Sequence, residues 1–188
     1  MCLRTLEKQP AIAEEDIVCY KTMFAMCSTQ PVNMERHPSY NPDHLLSTWK
    51  FHRYEWGKVE EVDDMPLKPD PSGHDCVWRI VEKGFHSWKR FQDAMRDCMR
   101  SQAMVIAKCV IPKGSKYFKG NTYGLAGLCE DDEYMEYCSD HIKVVAWRLP
   151  EYCPDHIKVA IRKRPSENEG WITVEDAERL KDPDCPAA

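Results

Sequence analysis

Short apolar runs alternate with proline-rich polar stretches along this chain. Ile17-Val18-Cys19-Tyr20-Lys21-Thr22-Met23-Phe24 is rich in β-branched and aromatic residues and reads as a strand. Cys76 to Val81 is a second strand candidate, running on to Lys83-Gly84-Phe85-His86. Ala103 to Ile111 (AMVIAKCVI) has the continuous apolar character of a buried strand, stopped by the turn signal Pro112-Lys113-Gly114-Ser115. Lys116 to Gly120 follows as a short extended piece. The aromatic segment Thr48 to Trp56, then Gly57 and Lys58 to Val62, predicts a hairpin. Its apolar phase slips between Phe51 and Tyr54, which a bulge would accommodate.

One stretch has a helical period. With Ser87 as the N-cap, Trp88, Phe91, Ala94, Met95, Cys98 and Met99 fall on one stripe, predicting an amphipathic helix over 88–100. Pro31, Pro38 and Pro42 mark a long loop at 28–47, and Pro66, Pro69, Pro71 and Gly73 mark another at 63–75. Residues 121–136 form a further loop leading into the acidic cluster around Glu133 and Glu136. Near the end, Thr173 is placed to cap a short helix from Val174 to Leu180. The expected fold is α+β: a small mixed or antiparallel sheet of five to seven strands, with the 88–100 helix on one face. Residues 1–165 read as a single domain, and 166–188 as an acidic C-terminal appendage with a short helix.

Composition supports a folded chain. Its 188 residues are within the usual length of one domain, and six Trp, eight Tyr and five Phe supply ample surface to bury. No window approaches the ~18 consecutive apolar residues of a spanning helix, so no membrane is expected as a partner. Net charge is −5, and the segment from Ser166 onward, with seven acids and two bases, carries all of it. A neutral body with an acidic tail argues against a large nucleic-acid surface, which needs a basic field. The ten cysteines would suggest a disulfide framework in a secreted chain. The first residues, MCLRTLEKQPAIAEED, hold no apolar h-region, however, and the cysteines are scattered singly in apolar runs. Reduced cysteines packed as small hydrophobes in a cytoplasm are the better reading.

The chain contains one internal repeat. Tyr137 to Val145 (YCSDHIKVV) and Tyr152 to Ala160 (YCPDHIKVA) match at seven of nine positions. Two copies are too few for a solenoid, and a duplicated strand is the simpler account.

Five segments together resemble one set of proteins. They are I-V-C-Y-K from Ile17, F-x-x-Y-E-W-G-K-V-E-E (Phe51 to Glu61) and G-F-H-S (Gly84 to Ser87). The others are C-V-I-P-K-G-S-K-Y-F-K-G (Cys109 to Gly120) and S-D-H-I-K-V-V (Ser139 to Val145). The chain over about residues 1–147 is similar to short uncharacterised proteins of gut Bacteroidetes and their phages, and to the N-terminal block of some pentapeptide-repeat proteins. The resemblance implies a small α+β domain of intracellular bacterial or phage origin, cytoplasmic in the bacterial host, with no established activity. This chain departs from the set in the loop at 28–47, the duplicated strand and the acidic tail, so the resemblance extends no role to those regions.

Five kinds of chemistry are worth weighing. Cys138, His141, Cys153 and His156 form a two-Cys, two-His set of the kind zinc accepts. Each His precedes a strand rather than sitting on a tight turn, and a copied strand explains the pairs equally well. Tyr20 and Lys21 on an early strand, with His86 after Gly84-Phe85, are loosely similar to the split-sheet core of ADP-ribosyltransferases. Those enzymes bind NAD between such elements and use a late glutamate to stabilise developing positive charge. The chain lacks a Ser-Thr-Ser block, and Glu133 and Glu136 lie in a loop, so Gly84, Phe85 and His86 read equally well as a turn residue, a core anchor and a cap neighbour.

A Cys–His nucleophile has no support from spacing alone, because such partners meet in space. Lys113-Gly114-Ser115-Lys116 lacks the upstream glycine of a phosphate loop. Finally, Trp49, Phe51, Tyr54 and Trp56 beside proline-rich loops form either a binding face or ordinary core.

The leading reading is a non-enzymatic cytoplasmic accessory protein that binds another protein or a small-molecule ligand, with no cofactor. An ADP-ribosyltransferase-like or other nucleotide-handling enzyme is the alternative, and a zinc-stabilised module the third.

Overall fold

The computed structural model describes residues 3–27, 30–31, 44–47, 52–55, 57–70, 78–98, 104–122, 136–148 and 171–173. In chain order these form β1 (Leu3–Thr5), β2 (Ala11–Ile12), β3 (Ile17–Cys27), β4 (Gln30–Pro31) and β5 (His44–Ser47). There follow β6 (Arg53–Tyr54), β7 (Val59–Glu61), β8 (Leu67–Pro69), β9 (Arg79–Val81) and β10 (Phe85–Trp88). After the helix α1 (Phe91–Cys98) come β11 (Met104–Ile111), β12 (Lys116–Thr122), β13 (Glu136–Ser139), β14 (His141–Arg148) and β15 (Ile172–Thr173). None of the described helices is long and apolar enough to cross a membrane.

This is a largely β fold, which corrects the α+β expectation of a small sheet and one main helix. Fifteen strands pair antiparallel, and the one described helix has eight residues. The helical stripe begins three residues later than its period suggested. Ser87 and Trp88 belong to β10, where they lie opposite Tyr137 and Glu136 of β13. Ladder hydrogen bonds to a neighbouring strand hold those residues extended, and tertiary pairing outweighs a local helical preference. Beyond them Phe91, Ala94 and Cys98 are buried against Tyr20, Trp88 and Ile106, as the stripe requires.

The proline-rich stretches also hold strands. Pro31 closes β4, which pairs with β3, and Pro69 closes β8, the last strand at one end of the sheet order. Edge positions tolerate a residue without an N–H, so proline here marks strand edges as well as loops. The hairpin expected around Gly57 does not form: β6 pairs with β5, whereas β7 pairs with β14. Ile172 and Thr173, inside the segment read as an appendage, pair with Trp147 and Ala146. The C-terminal helix from Val174 and the second copy of the repeat lie outside the described residues.

Strand order explains how the core closes. The path β14-β11-β3-β10-β13 is continuous, and β13 and β14 are one chain run bent at Asp140. The path therefore returns to its own starting strand and wraps an interior. Alternate residues point inward, as strand geometry demands: Cys19 and Met23 from β3, Val105, Ala107, Cys109 and Ile111 from β11, Ile142 and Val144 from β14. The first copy of the repeat is thus the strand that joins both ends of the path.

A second cluster, Tyr20, Trp88, Phe91, Ala94, Cys98 and Ile106, lies on the other face of β3 and β11 beneath α1. Thr22 Oγ1 donates to Asp97 Oδ2 at 2.5 Å and fastens the helix to β3. A third cluster (Leu3, Met65, Val81, Phe118, Cys138) joins β1 and β9 to β12 and β13. There Gly120 lets β1 approach closely, since a Cβ would stand 2.2 Å from the Arg4 carbonyl oxygen.

Candidate functional site

The ring of strands has one weak seam. β3 and β11 pair over eight consecutive positions, and β10 pairs with β13 over four. Between β3 and β10 the register contains one pair, Trp88 opposite Tyr20. Past it the strands separate, and the ladder is replaced by a side chain: Lys21 Nζ donates to the His86 carbonyl oxygen.

A cavity of about 270 Å³ occupies this split. Lys21 and Thr22 line it from β3, Phe85, His86, Ser87 and Trp88 from β10, and Glu136 from β13. Ser47, His52 and Tyr54 close another side. Three rings make an aromatic wall there. His52 and Tyr54 meet edge-on at 4.8 Å between centroids, and Phe85 lies 5.7 Å from His52 and 6.0 Å from Tyr54. Ser47 and His52 are joined by reciprocal contacts: Ser47 N donates to the His52 carbonyl at 2.8 Å, and His52 N to Ser47 Oγ at 3.0 Å.

Gly84 shapes the floor. Its φ of +133° is one that side-chain-bearing residues rarely adopt, and a Cβ would stand 2.5 Å from Cys138 Sγ. Cys138 Sγ in turn donates to the Lys83 carbonyl and lies 3.6 Å from His86 Nε2. This thiol supports the imidazole from behind and does not line the cavity.

The electrostatics follow from burial. Lys21 occupies the inward phase of β3, between Cys19 and Met23, and is 8% exposed. Burial lowers its pKa, against the opposing influence of Cys109, Cys19, Cys138 and Glu136. Burial also pushes the Cys19 thiol up to about 11, with the Ser87 hydroxyl and Lys21 pulling back. Cys109 rises well above its ordinary value for the same reason, so neither thiol is ionised at neutral pH. Tyr54, 3% exposed, is raised well above its ordinary value by burial and stays a phenol. Glu136 is 1% exposed. The split therefore presents the buried amine of Lys21 and carboxyl of Glu136, the His52 and His86 imidazoles, the Tyr54 phenol and several hydroxyls, with Glu82 and Lys83 also on its walls. Such a surface hydrogen-bonds a small polar group and packs a flat ring.

The residues singled out from the sequence divide between faces. Lys21 and His86 share the cavity, whereas Tyr20 turns to the opposite side of β3. There it meets Phe91 edge-on at 5.7 Å and stacks with Trp171 at 6.1 Å. Adjacent strand residues point to opposite faces, so Tyr20 and Lys21 do not face one site. Tyr54 is a buried wall of the cavity; Trp49, Phe51 and Trp56 lie outside the described residues. Glu136 begins a strand, where a loop was expected, and Glu133 is outside the described residues.

Cys138 and His141 face different surroundings: His141 Nδ1 contacts Asp140 Oδ1 at 2.7 Å, and its Nε2 lies 3.8 Å from Glu61. Cys153 and His156 are outside the described residues. Among the described residues no group of three or more His, Cys, Asp or Glu is placed to hold a metal ion.

Ser47, His52 and Ser87 carry no signal in the sequence, because they reach the split through long-range pairing. Lys21 does carry one, as a lysine in the phase of Cys19 and Met23. No protein-family model, curated protein or solved structure matches this chain.

Proposed function

We propose that the protein binds a small ligand in the split between β3 and β10, and that the ligand is a flat ring bearing a polar acceptor group. One observation carries this reading: buried Lys21 and Glu136 stand on the walls of a cavity of about 270 Å³ beside the His52, Tyr54 and Phe85 rings. Ligand sites are mostly apolar cavities with a few convergent polar groups, and this cavity is near the lower end of their size range. A non-enzymatic accessory role belongs to the same proposal, in a cell of the bacterial or phage-infected kind that the resemblance implies.

The test is a fragment screen by NMR with small aromatic amides, acids and aldehydes. Binders are expected to shift resonances of Lys21, Tyr54, Phe85 and His86, and Tyr54→Ala should weaken them at least ~10-fold. A screen in which every binder shifts other surfaces overturns the reading.

A second reading, an enzyme that handles NAD, is favoured by one specific observation. Glu136 and His86 line a split between two strands, the arrangement in which a carboxylate can stabilise positive charge on a reacting sugar. Release of free nicotinamide from NAD, abolished in Glu136→Gln, would support it. Absence of both nicotinamide release and NAD-dependent thermal stabilisation would overturn it.

A further inference from the structure

We propose that Lys21 captures its ligand covalently, its ε-amine condensing with a small aromatic aldehyde held in the split. This inference rests on the reading of the split as a ligand site, and it adds the class of ligand and the bond that holds it.

Position supplies the first argument. Lys21 lies in the inward phase of β3, is nearly fully buried and still lines the cavity. An ammonium in apolar surroundings is costly to keep, and a neutral amine is not. Its hydrogen bond goes to a backbone carbonyl, the His86 oxygen, an acceptor without formal charge that a neutral amine can also serve. That bond also fixes the nitrogen at the mouth of the seam.

The neighbouring groups supply the second. Cys19, Cys138 and, from β11, Cys109 lie near Lys21 without lining the cavity. Glu136 from β13, His86 from β10 and Tyr54 from β6 complete its surroundings. Hydroxyls such as Ser47 and Ser87 are weak nucleophiles at neutral pH, and Lys83, which also lines the cavity, is exposed to solvent, so Lys21 is the buried amine that meets it. Desolvated lysines react with carbonyl compounds for the reason given above: burial keeps the lone pair free. The His52, Tyr54 and Phe85 rings then select a flat, apolar body for the carbonyl compound.

The chemistry balances without another reactant. The nitrogen lone pair forms the C–N bond while the carbonyl π pair moves to oxygen, giving a carbinolamine after proton transfer from nitrogen to oxygen. The C–O bond then breaks, and the hydroxyl leaves as water with the second amine hydrogen. Glu136 and His86, on the same walls, are placed to pass these protons.

The test uses the full chain with benzaldehyde and sodium cyanoborohydride at pH 7, followed by peptide mass mapping. The expected product is one benzyl group on Lys21, formed at least ~10-fold faster than on exposed lysines such as Lys58 and Lys68. Lys21→Arg should abolish that product, and Lys21→Met serves if the larger guanidinium prevents folding. Labelling confined to exposed lysines, with Lys21 unmodified in the folded protein, overturns the inference. Benzamide, which is flat but unreactive, separates the two readings by NMR. Shifts confined to the split without capture of benzaldehyde would leave the site reading standing and the covalent one overturned. Shifts absent from the split with either compound would overturn both.

Discussion

Lys21 Nζ donates to the His86 carbonyl oxygen at the point where β3 and β10 cease to pair. A side chain thus closes a seam that backbone hydrogen bonds close elsewhere in the ring. The seam is where the cavity lies, so the contact joins the stability of the fold to the properties of the site.

Replacing this amine should alter how stability depends on pH. Burial lowers the folded pKa of Lys21, while the unfolded chain titrates near ~10.4. Between those two values the unfolded state binds the extra proton, so stability rises with pH and is lost as pH falls. Lys21→Met removes this dependence. Wild type should gain on the variant by up to ~1.4 kcal/mol per pH unit inside that window and run parallel to it outside. Urea denaturation of both proteins from pH 6 to 10.5 measures this, and parallel curves throughout would sink the assignment.

The interior thiols should be silent until the ring opens. Raising Cys19 from 9.0 to about 11 lowers its thiolate fraction near neutral pH by ~100-fold, and its burial adds a steric barrier. Peptide-resolved alkylation with iodoacetamide at pH 8 should leave Cys19 and Cys109 unmodified in the native protein and modify both in urea. Native labelling of Cys19 at the rate of an exposed thiol would contradict the interior placement.

Gly84→Ala should destabilise the fold by about 2 kcal/mol or more, through both an unfavourable φ and a clash with Cys138 Sγ. Adding Cys138→Ala removes the clash alone. The double variant should therefore lose less stability than the sum of the two single effects, as a double-mutant cycle measures. Strict additivity would mean that the close approach does not govern this position.

Trp171 ties the late strand β15 to the outer face of β3. It stacks on Tyr20, meets Phe91 edge-on at 6.0 Å and lies 5.4 Å from the Arg148 guanidinium. Trp171→Ala should cost about 1–3 kcal/mol, with Trp171→Phe recovering most of it. An unchanged thermal midpoint for the alanine variant would show that this cluster does not support the fold.

Local chemistry was enough to locate several elements. The runs at 17–24 and 104–111 are strands because β-branched and buried apolar residues favour extended backbone in a sheet. The turn Pro112 to Ser115 is written in proline and glycine, and the stripe Phe91, Ala94 and Cys98 is helical because its period is that of a helix. Lys21 was legible as a candidate from its place on the early strand.

Pairing across the chain decided the rest. Trp88 carries a helical phase yet lies in β10, because Glu136, far along the sequence, stands opposite it. Tyr54 left its neighbour strand for β5, and Pro31 and Pro69 sit on edges rather than in loops. The site depends wholly on these choices: Lys21 meets His86 across 65 positions of chain and Glu136 across more. Sequence alone determined that the runs at 17–24 and 104–111 extend and that 91–98 coils, since propensity and period act over a few residues. Only the tertiary structure decided where β3 and β10 part and which side chains face the gap, since those depend on hydrogen bonds between distant strands.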